Sequence, residues 1–268
     1  MAFSFVQITD HHLGETESQL MRGYATAYAV RKVLRHIAEN VGERIDFLIT
    51  TGDLVNDASE VSYSNFCQMF QLQAVSAAPG PALVTLEGLQ AFPMYFLPGN
   101  HDDRELFFRY LFADTPPMPL MNVSFQHKGV QFICLDFGAG DDAVAYPETL
   151  DYLERSLQAG FPSVILTHHH MVPMGNRWQD DYFLDKEKSE IFWNIATQYQ
   201  AQILGVLSGH VHTTYEKVKR GIPVFGLRST APQVVFLDEP FFCLQPLHYR
   251  LVTIQDGILT TRIFEVPL

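Results

Sequence analysis

The sequence predicts an α/β fold, a four-layer αββα sandwich of two mixed β-sheets flanked by helices, in a single domain spanning residues 1–268. Three observations predict it. Short apolar strands alternate with helically spaced apolar residues through the first half, as βα units do. Hairpin patterns dominate the end of the chain. Finally, 268 residues that are 47% hydrophobic and 18% charged can bury a sizeable core, whereas 17 glycines and 3 cysteines are too few for collagen or a disulfide framework.

Each element has its own signal. Phe3 to Thr9 reads as an apolar strand, followed by a helix whose Val30, Val33, Leu34, Ile37 and Val41 share one face. Ile45 to Thr51 is a continuously apolar, buried-type strand; a helix from about Ser59 to Val75 follows, with Ser59 as N-cap and Phe66, Met69 and Phe70 on one face. After a Pro/Gly loop beginning at Pro79 come a strand at Met94 to Leu97 and a helix at Arg104 to Phe112. Val123 to Gln126 and Val130 to Phe137 flank Lys128-Gly129 as a hairpin, ahead of a helix from Pro147 to Leu157. Val164 to Thr167 and Ile203 to Leu207 are buried-type strands separated by a helix from Glu187 to Tyr199. The remainder is mainly β, with turns at Arg220-Gly221 and Asp256-Gly257. The aromatic, proline-rich stretch 233–247 is a candidate cap or dimer-contact segment, which leaves a homodimer open.

Composition narrows the setting. The N-terminus has no basic region and its apolar stretch meets Asp10, so neither a signal peptide nor a membrane span is expected and the chain reads as cytoplasmic. Cys67, Cys134 and Cys243 lie in apolar surroundings and read as reduced core residues. A formal charge of -12 repels a phosphate backbone, so no nucleic acid polymer is expected as a partner. A small phosphorylated substrate stays open, because bound cations reverse the local field.

The chemistry sits at strand ends. Asp10 and His12 follow the first strand, Asp53 the second, Asn100 and His101 the third, His168 the Val164 strand, and His210 and His212 the Ile203 strand. Carboxyl ends of strands in α/β sheets converge on the ligand crevice, so these remote residues are expected to meet. Asp10-x-His12 and His210-x-His212 each place two ligand types two apart, on one side of an extended segment. Imidazole with carboxylate suits Zn, Mn or Fe. Asp10, His12, Asp53, Asn100, His168, His210 and His212 are too many for one tetrahedral ion, and two divalent ions sharing a carboxylate would absorb them. Gly52, Gly99 and Gly209, each just before a candidate ligand, are expected to allow sharp turns. Asp57 and Asp102 read equally as cap or structural residues and as functional ones, and His36, His127 and His248 as ordinary surface or strand residues. Gly138-Ala139-Gly140-Asp141-Asp142-Ala143 matches a dinucleotide fingerprint formally, but acids occupy its turn.

Together, Asp10-x-His12, Gly52-Asp53-x-x-x-Asp57, Gly99-Asn100-His101-Asp102, His168-His169-His170 and Gly209-His210-x-His212 resemble the calcineurin-like metallophosphoesterases, in that family's order. The resemblance implies the four-layer sandwich, with Asp10, His12, Asp53 and His212 on one metal and Asp53, Asn100, His168 and His210 on the other. It also implies that Asp53 bridges the ions and that His101 is a catalytic acid or phosphate contact. Within the run of three, His168 is chosen because it comes first after the strand. Gly99 to Arg104, the triple histidine and Ser229-Thr230-Ala231-Pro232 resemble more narrowly the class III cyclic nucleotide phosphodiesterases, a branch that includes glycerophosphodiesterases.

The implied activity is metal-dependent hydrolysis of a small phosphodiester such as a 3',5'-cyclic nucleotide. Two ions about 3.5 to 4 Å apart would clamp the phosphate, and a hydroxide bridging them would attack phosphorus in line. The alternatives are a glycerophosphodiester, nucleotide pyrophosphate or phosphomonoester substrate, or a non-catalytic scaffold that keeps the fold.

Overall fold

The computed structural model describes residues 2–72, 80–86, 91–112, 114–182, 185–236, 240–243 and 245–267. In chain order the first half comprises β1 (Ala2–Ile8), the short strands β2 (Leu20–Met21) and β3 (Tyr24–Ala25), α1 (Thr26–Asn40), β4 (Phe47–Thr51), α2 (Glu60–Met69), β5 (Ala82–Val84), β6 (Phe92–Leu97) and α3 (Arg104–Leu111). There follow β7 (Val123–His127), β8 (Val130–Leu135), α4 (Pro147–Gln158), β9 (Ser163–Thr167), α5 (Arg177–Tyr182), α6 (Lys186–Gln198), β10 (Ile203–Ser208), β11 (Tyr215–Lys219) and β12 (Ile222–Gly226). The chain closes with β13 (Gln233–Phe236), β14 (Pro240–Cys243), β15 (Leu247–Gln255) and β16 (Ile258–Val266).

Two six-stranded sheets result, ordered β16-β15-β1-β4-β6-β5 and β11-β12-β10-β9-β8-β7. Both are mixed. In the first, β1, β4 and β6 run parallel between antiparallel β15 and β5; in the second, β8, β9, β10 and β12 run parallel between antiparallel β7 and β11.

Strand alternation produces the layers, because successive side chains point to opposite faces. On β8, Phe132 and Cys134 join the core of the first sheet, whereas Ile133 and Leu135 pack with Leu153 and Leu157 of α4 and Phe192 and Trp193 of α6. Phe132 stands edge-on to Phe5 and Phe47, with ring centroids 5.3 and 5.4 Å away, and so locks sheet to sheet. Each such fully buried ring contributes about 1.5–3 kcal/mol through removal from water. On the outer side of the first sheet, α1 buries Val30, Val33, Leu34 and Ile37, as their spacing requires. Phe107, Phe108 and Phe112 are core residues.

The three predicted tight turns form as expected. Lys128-Gly129, Arg220-Gly221 and Asp256-Gly257 each hold two successive residues at positive φ, the type I′ geometry that matches the strand twist. One helix ends earlier than its pattern suggests. Ser59 caps α2, accepting from Ser62 N–H at 3.2 Å, but Gln71 turns left-handed at φ 46°. Gln71 N–H then donates to Gln68 O and Leu72 N–H to Cys67 O, a Schellman closure without its usual glycine. Residues 73–75 of the expected helix lie outside the described residues. The loop expected after Pro79 contains β5, and the 233–247 segment forms the β13–β14 hairpin, with residues 237–239 and 244 outside the described residues. No helix among the described residues is long and apolar enough to cross a membrane.

Candidate metal centre

Within each sheet the strands that carry candidate ligands run parallel, so β1, β4 and β6 deliver their C-terminal loops to one end, and β9 and β10 deliver theirs together. Backbone pairing continues past β1 and β4: Asp10 N–H donates to Gly52 O at 3.0 Å, His12 N–H to Asp53 O at 3.1 Å and Leu13 N–H to Leu54 O at 3.1 Å. In this frame Asp10, His12, Asp53, His210 and His212 all take left-handed backbone, with φ between 46° and 72°. The two ligand pairs therefore do not sit on extended segments, contrary to the sequence reading. Left-handed backbone costs a non-glycine residue about 1–2 kcal/mol, and Asp, Asn and His adopt it most readily. The cross-loop hydrogen bonds hold that strained geometry.

Two donor groups form. Ligand atoms of Asp10, His12, Asp53 and His212 all lie within 4.8 Å of one another. In the second group, Asn100 Oδ1 is 2.9 Å from His168 Nε2 and 3.0 Å from His210 Nδ1, and the two ring nitrogens are 3.2 Å apart. Asp53 belongs to both groups: its Oδ2 lies 3.4 Å from His12 Nε2 and 3.4 Å from His168 Nε2. All of these residues are buried except Asn100, which is half-buried.

The histidines are oriented from behind. His168 Nδ1 donates to Thr51 O at 2.8 Å and His212 Nδ1 to Pro232 O at 2.6 Å, which turns each Nε2 toward the carboxylates. Burial alone would raise the Asp53 carboxyl, but His168 and His12 outweigh it and hold the group well below the usual carboxylate range. Asp10 is lowered against the same opposing burial, chiefly by His212. Burial opposes a charge on His168, yet Asp53 lifts it to about 9, whereas burial drives His12 down to about 3. Ionised carboxylates among buried imidazoles at the foot of a cavity form a donor set that fits a divalent cation.

Space at the centre depends on glycines, though only partly for the expected reason. Gly52 does make the turn, at φ 102°. Gly99 is instead a close approach, since a Cβ there would stand 2.1 Å from Asp53 Oδ1.

The other candidates separate clearly. His101 lines the cavity above the centre; its backbone N–H donates to Asp53 Oδ1 at 2.9 Å and its Nδ1–H to Asn56 O at 3.0 Å. His169 donates from Nε2 to Gly140 O at 2.8 Å, and His170 is buried behind, so of the three only His168 shares the group with Asn100 and His210. Asp102 accepts from Gly99 N–H at 2.8 Å, Leu54 N–H at 3.2 Å and Tyr63 OH at 3.1 Å, clasping the loops after β4 and β6. Asp57 caps no helix; it accepts from Gln19 Nε2 at 2.6 Å. His248 is the strand residue that its sequence reading allowed, buried on β15.

Sequence reasoning gave no role to the residues that hold these loops, although Arg104, Ser229 and Thr230 fall within the motifs that carry the narrower resemblance. Ser229 donates to Asp10 O at 2.6 Å, and Thr9 to Asp10 Oδ2 at 2.6 Å. His11 spans from Thr230 Oγ1 at 2.7 Å to Thr50 Oγ1 at 3.1 Å. Half-buried Arg104 pairs with Asp136 at 2.5 Å and donates to Gly99 O at 2.6 Å, stapling the loop before Asn100 to the end of β8. A single hydroxyl or arginine shows no spacing that reveals which loop it will hold. Above the centre opens a cavity of about 670 Å³, with His12, Asp53, Asn100, His101, His210 and His212 among its lining and Leu20, Met21, Arg22, Trp178, Val234 and Phe242 around it.

Comparison with known proteins agrees with this geometry. The family model for calcineurin-like phosphoesterases matches residues 3–214. A 3',5'-cyclic-nucleotide phosphodiesterase of Nostoc sp. is 29% identical over 273 residues, covering 100% of this chain and 94% of its own. The 3',5'-cyclic adenosine monophosphate phosphodiesterase CpdA of Escherichia coli K12 is 29% identical over 271 residues, covering 97% of this chain and 89% of its own. Among solved structures, GAP50 of Plasmodium superposes with a TM-score of 0.63 at 10% identity, over 99% of this chain and 85% of that one, a likeness of fold alone. Since the family match runs from β1 through His212, and so takes in every strand end that builds the centre, the chain belongs to the calcineurin-like phosphoesterases.

Proposed function

We propose that this chain is a dinuclear, divalent-metal-dependent phosphodiesterase that hydrolyses a 3',5'-cyclic nucleotide. The observation that carries the reading is Asp53 Oδ2, which is equidistant from His12 Nε2 and His168 Nε2 beneath an open cavity. One carboxylate oxygen shared by two buried donor groups is the arrangement that places two cations side by side. Asp10, His12, Asp53 and His212 hold one ion, and Asp53, Asn100, His168 and His210 the other. Bound there, the ions supply Lewis acidity to the phosphate and lower the pKa of water. Mn, Fe and Zn all suit these ligands.

The chain's own residues do the rest. His101, anchored through Nδ1 to Asn56 O, keeps Nε2 for the substrate and, when protonated, passes a proton to the leaving oxygen as the P–O bond breaks. Its position is fixed by the same Asp53 carboxylate that links the donor groups, so proton donor and metal centre share one origin. The cyclic nucleotide as substrate is supported by the Nostoc and Escherichia coli relatives. The β13–β14 hairpin acts as a cap in this reading, because Val234 and Phe242 line the cavity, and the chain works as one domain. Cytoplasmic residence accords with three unpaired thiols.

A hydrolysis panel on metal-reconstituted protein tests this: bis(para-nitrophenyl) phosphate, para-nitrophenyl phosphate and cyclic AMP, with Asp53→Ala as control. Turnover of both diesters, abolished in Asp53→Ala, is the expected result. Monoester turnover alone would overturn the diesterase, and silence on every substrate with two metals bound would point to a scaffold.

A further inference from the structure

The metal centre accounts for the phosphate of a substrate but leaves its organic group without a partner. Two small hairpins outside the large sheets supply candidates. Arg22 lies at the tip of β2–β3, where it and Gly23 hold φ of 49° and 87°. Phe242 lies on β14, directly across from Val234 on β13, and both line the cavity. The Arg22 guanidinium sits 4.7 Å from the Phe242 ring centroid, joining the hairpins across the cavity mouth.

Each hairpin is also tied to the centre. The first follows the loop that carries His12, and the second begins just after Pro232, whose carbonyl orients His212. Among the described lining residues Arg22 is the only Arg or Lys, and its neighbours there include Leu20, Met21 and Val234. A flat cation stacked on a ring, set among apolar side chains, is suited to a planar, polarisable group rather than to a phosphate.

We propose that the Arg22–Phe242 pair is the specificity wall of this enzyme and holds the nucleobase of the cyclic nucleotide, Arg22 by its planar face and N–H edge and Phe242 by supporting that plane. The inference rests on the phosphodiesterase reading above and adds to it which residues discriminate substrate.

The test compares cyclic AMP with abasic ribose 3',5'-cyclic phosphate on the metal-loaded wild type and on Arg22→Ala, Arg22→Lys and Phe242→Ala. The expected result is a KM for cyclic AMP raised about tenfold in all three variants with kcat changed little, because lysine keeps the charge but not the plane. On the abasic substrate kcat/KM should fall less than about threefold, since it lacks the group the wall holds. Equal losses on both substrates would overturn the proposal, placing Arg22 on the phosphate, as would no change on either or full rescue by Arg22→Lys. Wild-type turnover of bis(para-nitrophenyl) phosphate without any turnover of cyclic AMP would overturn the cyclic-nucleotide reading itself, a different outcome from either of these. Unaltered metal content in each variant excludes a folding defect as the cause of a loss.

Discussion

Asp141 accepts a hydrogen bond from the side-chain amide of Asn100 at 3.2 Å. With Nδ2 so committed, Asn100 Oδ1 faces His168 and His210, the orientation a metal ligand needs. Asp141→Ala should free the amide to rotate and weaken the ion on that side by about 10–100-fold, the usual effect of losing such a support. Calorimetric titration of metal into stripped protein checks it; two unchanged affinities would mean that Asn100 is held by its histidine neighbours alone.

Thr230 and His11 give a second prediction. Thr230→Val keeps the volume but removes the partner 2.7 Å from His11 Nδ1, deep in the core. A buried ring nitrogen left without a partner costs about 1–3 kcal/mol. Urea unfolding of the metal-free variant should show that loss, with no change in the dependence of stability on denaturant.

Gly99→Ala should damage the centre without unfolding the chain. Its Cβ would stand 2.1 Å from Asp53 Oδ1 and 2.4 Å from Asp53 N, forcing aside the carboxylate that both donor groups share. A displacement near 1 Å at a reacting centre costs about 100-fold in turnover. Gly129→Ala is the contrast, since a Cβ there meets nothing within 4 Å; strained by its φ of 80°, it should lose stability but keep activity. Equal activity in the two variants would discount the close approach.

His248 predicts a pH dependence of stability. Burial, then Arg228, whose guanidinium lies 3.3 Å from Nε2, hold it neutral and push it down to about 4 despite nearby Glu265. In the unfolded chain it takes up a proton near pH 6.5, so between about pH 6.5 and 4 the unfolded state binds more protons than the folded one. Stability supplied by the neutral ring is complete above that window and declines as the pH falls through it. His248→Gln should flatten the fall in melting temperature between pH 7 and pH 5; an unchanged slope would assign the acid sensitivity to other buried groups.

Much of this centre was legible because metal-ligand side chains interrupt strongly apolar runs. A strand such as Val164 to Thr167 that ends abruptly in histidine announces a site, and parallel strands then fix where such ends meet. The helix of Arg104 to Leu111 and the hairpin at Lys128-Gly129 were legible for similarly local reasons of periodicity and turn chemistry. What stayed hidden depends on contacts between distant segments. Gln71 ends α2 in a left-handed turn that favours glycine, so no residue type marked it. Arg22 and Phe242 carry meaning only once two hairpins from opposite ends of the chain meet. His11 reads like its neighbour His12, and only burial between two threonines separates the strut from the candidate ligand.

The left-handed backbone under Asp10, His12, Asp53, His210 and His212 restricts which donors this scaffold can exchange. Asn, Asp and His tolerate that conformation, whereas cysteine and glutamate, the residues an engineer would introduce to favour softer or harder ions, meet a conformational penalty of about 1–2 kcal/mol at each position. Retuning the metal preference of this fold is therefore easier at Asn100 and His168, which do not have positive φ, than at the residues that surround Asp10. The two halves of the centre thus differ in how freely they can change.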